Sequence, residues 1–128
     1  MKLLLDTHIF LWYISGDPRL DAGLQTQIQD PANEVFLSVA SVWEAVIKYD
    51  FGKLLLPRRP EEYLPQHRDS HGIASLPIEE GAMSQLASLP PLHRDPFDRV
   101  MIAQSLQYDM TLVTLDAAVR SYPVKFLP

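Results

Sequence analysis

The chain contains no cysteine. That excludes disulfides, iron–sulfur clusters, thiolate zinc sites and any cysteine nucleophile. Nor does it hold the run of roughly 18 uncharged apolar residues that a membrane span requires. Its opening stretch, MKLLLDTHIFLWYISG, is interrupted by Asp6 and His8 and has no small-residue cleavage site after it. It therefore reads as a buried strand and a helix rather than a targeting segment. A soluble, cytoplasmic protein without a membrane partner is the expectation. Positive charge is also in short supply, since 11 Lys and Arg face 16 Asp and Glu, for a formal charge of −5. A protein that coats nucleic acid through a basic surface is disfavoured on that ground. A nuclease is not, because acids drawn into one pocket around a metal leave a near-neutral or locally basic remainder. Lys48, Lys53, Arg58, Arg59, Arg68, Arg94 and Arg99 are available for it. Repeats, low-complexity segments and interdomain linkers are missing too, so the 128 residues, 47% of them hydrophobic, are read as one domain over residues 1–128.

What is present alternates. Lys2 to Leu5 is a short apolar run ending at Asp6, as a buried parallel strand would, and a helix is predicted from Thr7 to Ser15 until GDPRL breaks it. A more polar helix spans Asp21 to Asp30, and a second strand Glu34 to Leu37. Val39, Val42, Trp43, Val46 and Ile47 then repeat at the spacing of an amphipathic helix, which Gly52 ends. Further along, the pattern predicts a helix over Glu61 to Ser70, a strand over His71 to Leu76 and a helix over Ile78 to Leu89. After Pro90 and Pro91 a helix follows Asp95 and runs to about Tyr108. A strand over Thr111 to Thr114, a short helix over Asp116 to Tyr122 and an edge strand over Val124 to Phe126 complete the pattern. Strands alternating with helices imply right-handed crossovers. The fold class is therefore α/β, with a central, mostly parallel sheet of four to five strands between helical layers.

In such folds the loops at the carboxyl ends of the strands build the site. Asp6 follows the first strand and Asp116 the last long one, as LVTLD; Asp98 lies in the first turn of the helix in HRDPFDRVMIAQS, and Glu44 in the second turn of the helix after the second strand. All four fall on one rim. Each also has a purely structural use. Asp6 and Asp116 can cap helices, Asp98 can complete a cap with Asp95, and Glu44 has Lys48 four residues on. Should the four converge, repulsion in a partly desolvated cleft would raise their pKa values unless a cation intervened. Oxygen-only ligands suit a hard divalent ion, which can orient and acidify water for attack on phosphorus.

These motifs are similar to those of a known family. LLLDTHIFLW, GDPRL, SVASVWEAVIKYDFGKLLLP, HRDPFDRVMIAQS and LVTLD, in that order, resemble the PIN-domain ribonucleases, and within them the VapC toxins of toxin–antitoxin pairs. The resemblance implies a three-layer PIN-like fold and a Mg²⁺-dependent endoribonuclease in which Mn²⁺ can substitute. It also implies an RNA substrate, a cognate antitoxin lying over the active-site groove, and a homodimer or toxin–antitoxin hetero-oligomer. Asp6, Glu44, Asp98 and Asp116 carry over as the acidic residues. Asp6 and Asp98 are assigned as direct ligands, and Glu44 and Asp116 as ligands bound directly or through water.

Other residues have weaker claims. Thr7, Thr114, Arg99 and Asp95 are candidates for support, by holding a water, a phosphate or one of the acids; backbone capping competes for the threonines and for Asp95. His67 and His71 share a helical face, but no third ligand for zinc is evident, and the four histidines show no ligand spacing. Trp12, Trp43 and Phe97 are suited to base stacking, although their helical spacing favours the core. Phe10, Leu11, Trp12 and Tyr13 are too many for one buried face, which points to a partner or a second copy. Two alternatives stand beside the nuclease: a non-catalytic binding module whose acids are caps, and phosphoryl transfer through an aspartyl intermediate at Asp6. The second lacks the usual Asp-x-Asp pair, since His8 occupies the other position.

Overall fold

The computed structural model describes residues 1–127. Along the chain run β1 (Lys2–Leu5), α1 (Thr7–Ser15), α2 (Ala22–Gln29), β2 (Glu34–Ser38), α3 (Val39–Asp50), α4 (Pro60–Ser70), β3 (Ala74–Leu76), α5 (Ala82–Ser88), α6 (Pro96–Gln107), β4 (Thr111–Val113), α7 (Ala117–Arg120) and β5 (Lys125–Leu127). The strands form one sheet in the order β3-β2-β1-β4-β5, every pair parallel. Alternation along β1 explains the layering. Leu3 and Leu5 pack with Ile9, Phe10, Leu24 and Leu64 on one face, while Leu4 packs with Met101, Ile102 and Val119 on the other. A central strand covered on both sides must be apolar at every position, and Leu3, Leu4 and Leu5 are fully buried.

The strand order reverses between β1 and β4. From β1 the chain first builds outward through β2 and β3, then crosses to the other side of β1 for β4 and β5. The loops leaving β1 and β4 therefore diverge, opening a crevice at their carboxyl ends. Leu5 pairs with Val113 and with Leu37, and Asp6 N–H donates to Val113 O at 3.0 Å, so Asp6 is pinned where the ladder stops.

Three expectations are corrected. β3 starts at Ala74 rather than His71, because α4 closes with Gly72 at φ +68° and with Ile73 N–H reaching back to Arg68 O, a C-terminal turn that uses the first residues of the anticipated strand. α5 is confined to Ala82–Ser88, its start delayed by turns in which Ala82 and Met83 donate to Glu79 O and Glu80 O. On α3 the apolar stripe is not the buried face. Ala40, Ser41, Glu44 and Ala45 are buried, whereas Val39 and Trp43 are exposed, Trp43 at 54%. Small side chains let α3 approach its neighbours closely, which turns the large apolar residues outward and the carboxylate inward.

Candidate active site

Each acid of the rim is held by the start of a helix or by a partner across the crevice. Asp6 caps α1 through Oδ1, which accepts from Thr7 N–H at 2.7 Å. Its Oδ2 accepts from Thr114 Oγ1 at 2.6 Å, a bond between residues 108 positions apart that ties the β1 exit to the β4 exit. The same Thr114 oxygen accepts from Asp116 N–H at 3.1 Å. Asp116 caps α7, its Oδ1 accepting from Ala118 N–H at 2.9 Å, and stays exposed at the mouth. Asp95 caps α6 by accepting from Phe97 and Asp98 N–H at 2.9 and 3.2 Å, with Pro96 opening the helix. That turn carries Asp98 inward, to 7% exposure. Glu44, 4% exposed, accepts from Thr7 Oγ1 at 2.7 Å and from Lys48 Nζ at 2.6 Å.

The four predicted acids meet. Asp6, Glu44, Asp98 and Asp116 line one cavity of about 130 Å³ together with His8, Lys48, His93 and Asp95. A cleft of about 480 Å³, lined by residues such as Ile47, Phe51 and Phe97, adjoins it and shares Lys48 and Asp95. The larger cleft is mainly apolar; the smaller one holds the chemistry.

Electrostatics follow from the crowding. Burial, reinforced by the negative charges of Asp6, Asp95 and Glu44 and opposed by the His93 hydrogen bond, pushes the Asp98 carboxyl up to about 7. Asp6 is raised as well, chiefly by burial, against the hydrogen bonds from Thr114 and Thr7. Burial alone would lower Lys48, but Glu44, with Asp95 and Asp98 behind it, outweighs that and holds the ammonium above its ordinary value. Carboxylates gathered in one cavity, with the ionisation of Asp6 and Asp98 resisted, fit a hard divalent cation, which would supply the missing positive charge.

The other sequence-predicted residues divide. Thr7 and Thr114 are buried behind the cavity wall, donating to Glu44 and Asp6. Asp95 lines the cavity while serving as the cap. Arg99 is turned elsewhere, donating to Pro90 O at 3.1 Å and Tyr122 Oη at 2.9 Å. His67 and His71 pack against Tyr63 and Tyr13. Trp43 does not join the core; it lies edge-on to the half-buried Phe97 at 4.9 Å between ring centroids, and Trp12 is half-buried under Arg19. Phe10 is buried, while Leu11, Trp12 and Tyr13 are half-buried.

Three residues were not anticipated in the cavity: His8, Lys48 and His93. Lys48 was legible as the helical partner of Glu44, four residues on, but not as its cation. His93 places Nε2 2.8 Å from Asp98 Oδ2. Its only sequence signal is its position before the Asp-Pro cap, whose turn folds it back. His93, Asp98 and Asp116 each offer a ligand atom within 4.8 Å of the other two.

A doubly wound parallel sheet with an acid-lined crevice at its switch point defines the class. A family model described as PIN domain matches residues 3–125. The chain belongs to the PIN-domain family. It is 38% identical over 66 residues to Ribonuclease VapC16 of Mycobacterium tuberculosis, a stretch covering 48% of this chain and 47% of the relative's length. Among solved structures, VapBC2 from Rickettsia felis, bound to a DNA fragment from its promoter, superposes with a TM-score of 0.74 at 15% identity, over 99% of this chain and 98% of that one. A toxin–antitoxin complex from Klebsiella pneumoniae gives a TM-score of 0.65 at 14% identity, over 98% and 96% of the two chains. At these identities the structural likeness shows the fold.

Proposed function

We propose that this protein is a divalent-metal-dependent endoribonuclease, the toxin of a toxin–antitoxin pair, which hydrolyses RNA phosphodiester bonds. The observation that carries the reading is the convergence of Asp6, Glu44, Asp98 and Asp116 on one cavity in a PIN-domain chain. The match to a relative named Ribonuclease VapC16 supports the ribonuclease activity. A bound Mg²⁺ or Mn²⁺ would supply Lewis acidity toward a phosphate oxygen and an acidified water.

The chain's own residues set the terms. Asp6 and Asp98 would hold the ion directly. The Thr114 hydroxyl and Thr7 N–H fix the Asp6 carboxylate in one orientation, and the α6 cap fixes the backbone that carries Asp98. Asp116, at the mouth, is placed to accept a proton from incoming water. Glu44 acts through Lys48, which it holds at the cavity wall as a cation for the substrate phosphate. The half-buried Leu11, Trp12 and Tyr13 and the exposed Trp43 supply apolar surface for an antitoxin or a second subunit.

Incubation of the purified protein with RNA, with and without EDTA, tests the reading. We expect cleavage that EDTA stops and Mg²⁺ or Mn²⁺ restores, and no cleavage by well-folded Asp6→Ala or Asp98→Ala protein. Cleavage by either variant, or indifference to EDTA, would refute it. Co-expression with the adjacent antitoxin should relieve growth arrest caused by the wild-type chain.

A further inference from the structure

We infer that His93 is a direct nitrogen ligand of the metal held by this pocket, which makes the site a mixed nitrogen–oxygen centre that prefers Mn²⁺ to Mg²⁺. The inference rests on the metal-dependent reading above and adds to it a ligand of different chemistry from the four acids.

The geometry is that of cis ligands. Two donors about 2.1 Å from one octahedral ion lie about 3.0 Å apart when cis and about 4.2 Å when trans. His93 Nε2 and Asp98 Oδ2 are 2.8 Å apart, and the ligand atoms of His93, Asp98 and Asp116 all fall within 4.8 Å of one another. His93 and Asp98 would hold one ion nearly as they stand, with Asp116 beside it at the mouth. The two atoms now share one hydrogen atom; an ion held by both would lie beside the Nε2–Oδ2 line, displace that hydrogen and require little movement of either partner. The backbone that carries the imidazole is also held, since the N–H that reaches Tyr122 is the main-chain one. His93 N–H donates to Tyr122 Oη at 2.9 Å, and Arg99 Nη1 donates to the same oxygen at 2.9 Å. Tyr122 is itself buried, so the loop bearing His93 is tied to the core, and Arg99, absent from the cavity, acts in that anchor.

A nitrogen donor changes which ion the pocket selects. Carboxylates serve Mg²⁺ and Mn²⁺ alike, whereas imidazole binds Mg²⁺ poorly and gains affinity along the first transition series. His8 also lines the cavity, but it is exposed and is not in the cluster of closely spaced ligand atoms, so His93 is the nitrogen assigned.

Electron spin-echo spectroscopy of the full chain loaded with Mn²⁺ tests this without reference to turnover. We expect ¹⁴N modulation from a coordinated imidazole, retained in His8→Ala and lost in His93→Ala and His93→Gln. Titration calorimetry should show Mn²⁺ affinity falling about tenfold or more in His93→Ala, with Mg²⁺ affinity changing much less. If wild-type protein binds Mn²⁺ but shows no ¹⁴N modulation, His93 only positions Asp98 and the inference fails, while the nuclease reading stands. Modulation that survives in His93→Ala and disappears in His8→Ala overturns the assignment as well. If neither ion binds, the metal-dependent reading fails and takes this inference with it.

Discussion

Helix α2 and helix α7 begin in the same way: an aspartate, exposed, accepts a backbone N–H from the first turn. At α2 Asp21 accepts from Leu24 N–H at 3.3 Å, and at α7 Asp116 accepts from Ala118 N–H at 2.9 Å. What separates them is company. Asp21 sits away from the crevice, whereas Asp116 shares a cavity with Asp6, Glu44 and Asp98. Capping and chemistry are therefore not rival explanations of an aspartate after a strand. The cap fixes the backbone, and the second carboxylate oxygen is left for whatever the topology brings near.

The largest effect separating the two regions is on turnover. Asp98→Asn is expected to lower RNA cleavage by roughly a hundredfold or more, with an unchanged far-ultraviolet circular dichroism spectrum. Gel analysis of cleaved RNA at matched protein concentration measures the loss.

The second effect concerns pH. Asp98 titrates near 7 in the folded chain against an ordinary value of 3.8. Between those values the native state keeps a proton that the unfolded chain has released. Stability of the metal-stripped protein therefore falls as pH rises through this window and levels off above about 7. Thermal melts in EDTA at pH 5 and pH 8 should show a wild-type decline that Asp98→Asn reduces. At pH 8 the variant should melt a few degrees higher than wild type. A variant with the full wild-type slope would remove Asp98 as its source.

At Asp116 the two roles can be divided. Asp116→Asn preserves a good cap and removes the charge, while Asp116→Ala removes both. Both should lose cleavage, but only the alanine variant should lose about 1 kcal/mol of stability by urea unfolding. The smallest effect belongs to the control: Asp21→Ala should cost a similar ~1 kcal/mol and leave cleavage at the wild-type rate. A drop in cleavage there would dissolve the contrast.

Much of this was readable from local chemistry. Leu3, Leu4 and Leu5 followed by Asp6 announce a buried strand that ends at a rim, and the Asp95-Pro96 start of α6 announces its own cap. The four acids were found because a parallel sheet puts all its strand ends on one side. What escaped was non-local. Periodicity on α3 marks where apolar residues lie, not which face the neighbours admit; close packing chose Ala40, Ser41 and Ala45 and left Trp43 outside. His93 and Arg99 straddle the same cap, yet one turns toward Asp98 and the other toward Tyr122, a choice set by a tyrosine from beyond β4. The order β3-β2-β1-β4-β5 likewise depends on crossovers that no short motif encodes.

Because β4 docks against β1 only after most of the chain has been made, the crevice is completed late in synthesis. A ribosome-borne chain that stops before Thr111 has Asp6, Glu44 and Asp98 but neither Thr114 to hold Asp6 nor Asp116 at the mouth. The bond from Thr114 to Asp6 and the arrival of Asp116 thus close the pocket in the same stroke that closes the sheet.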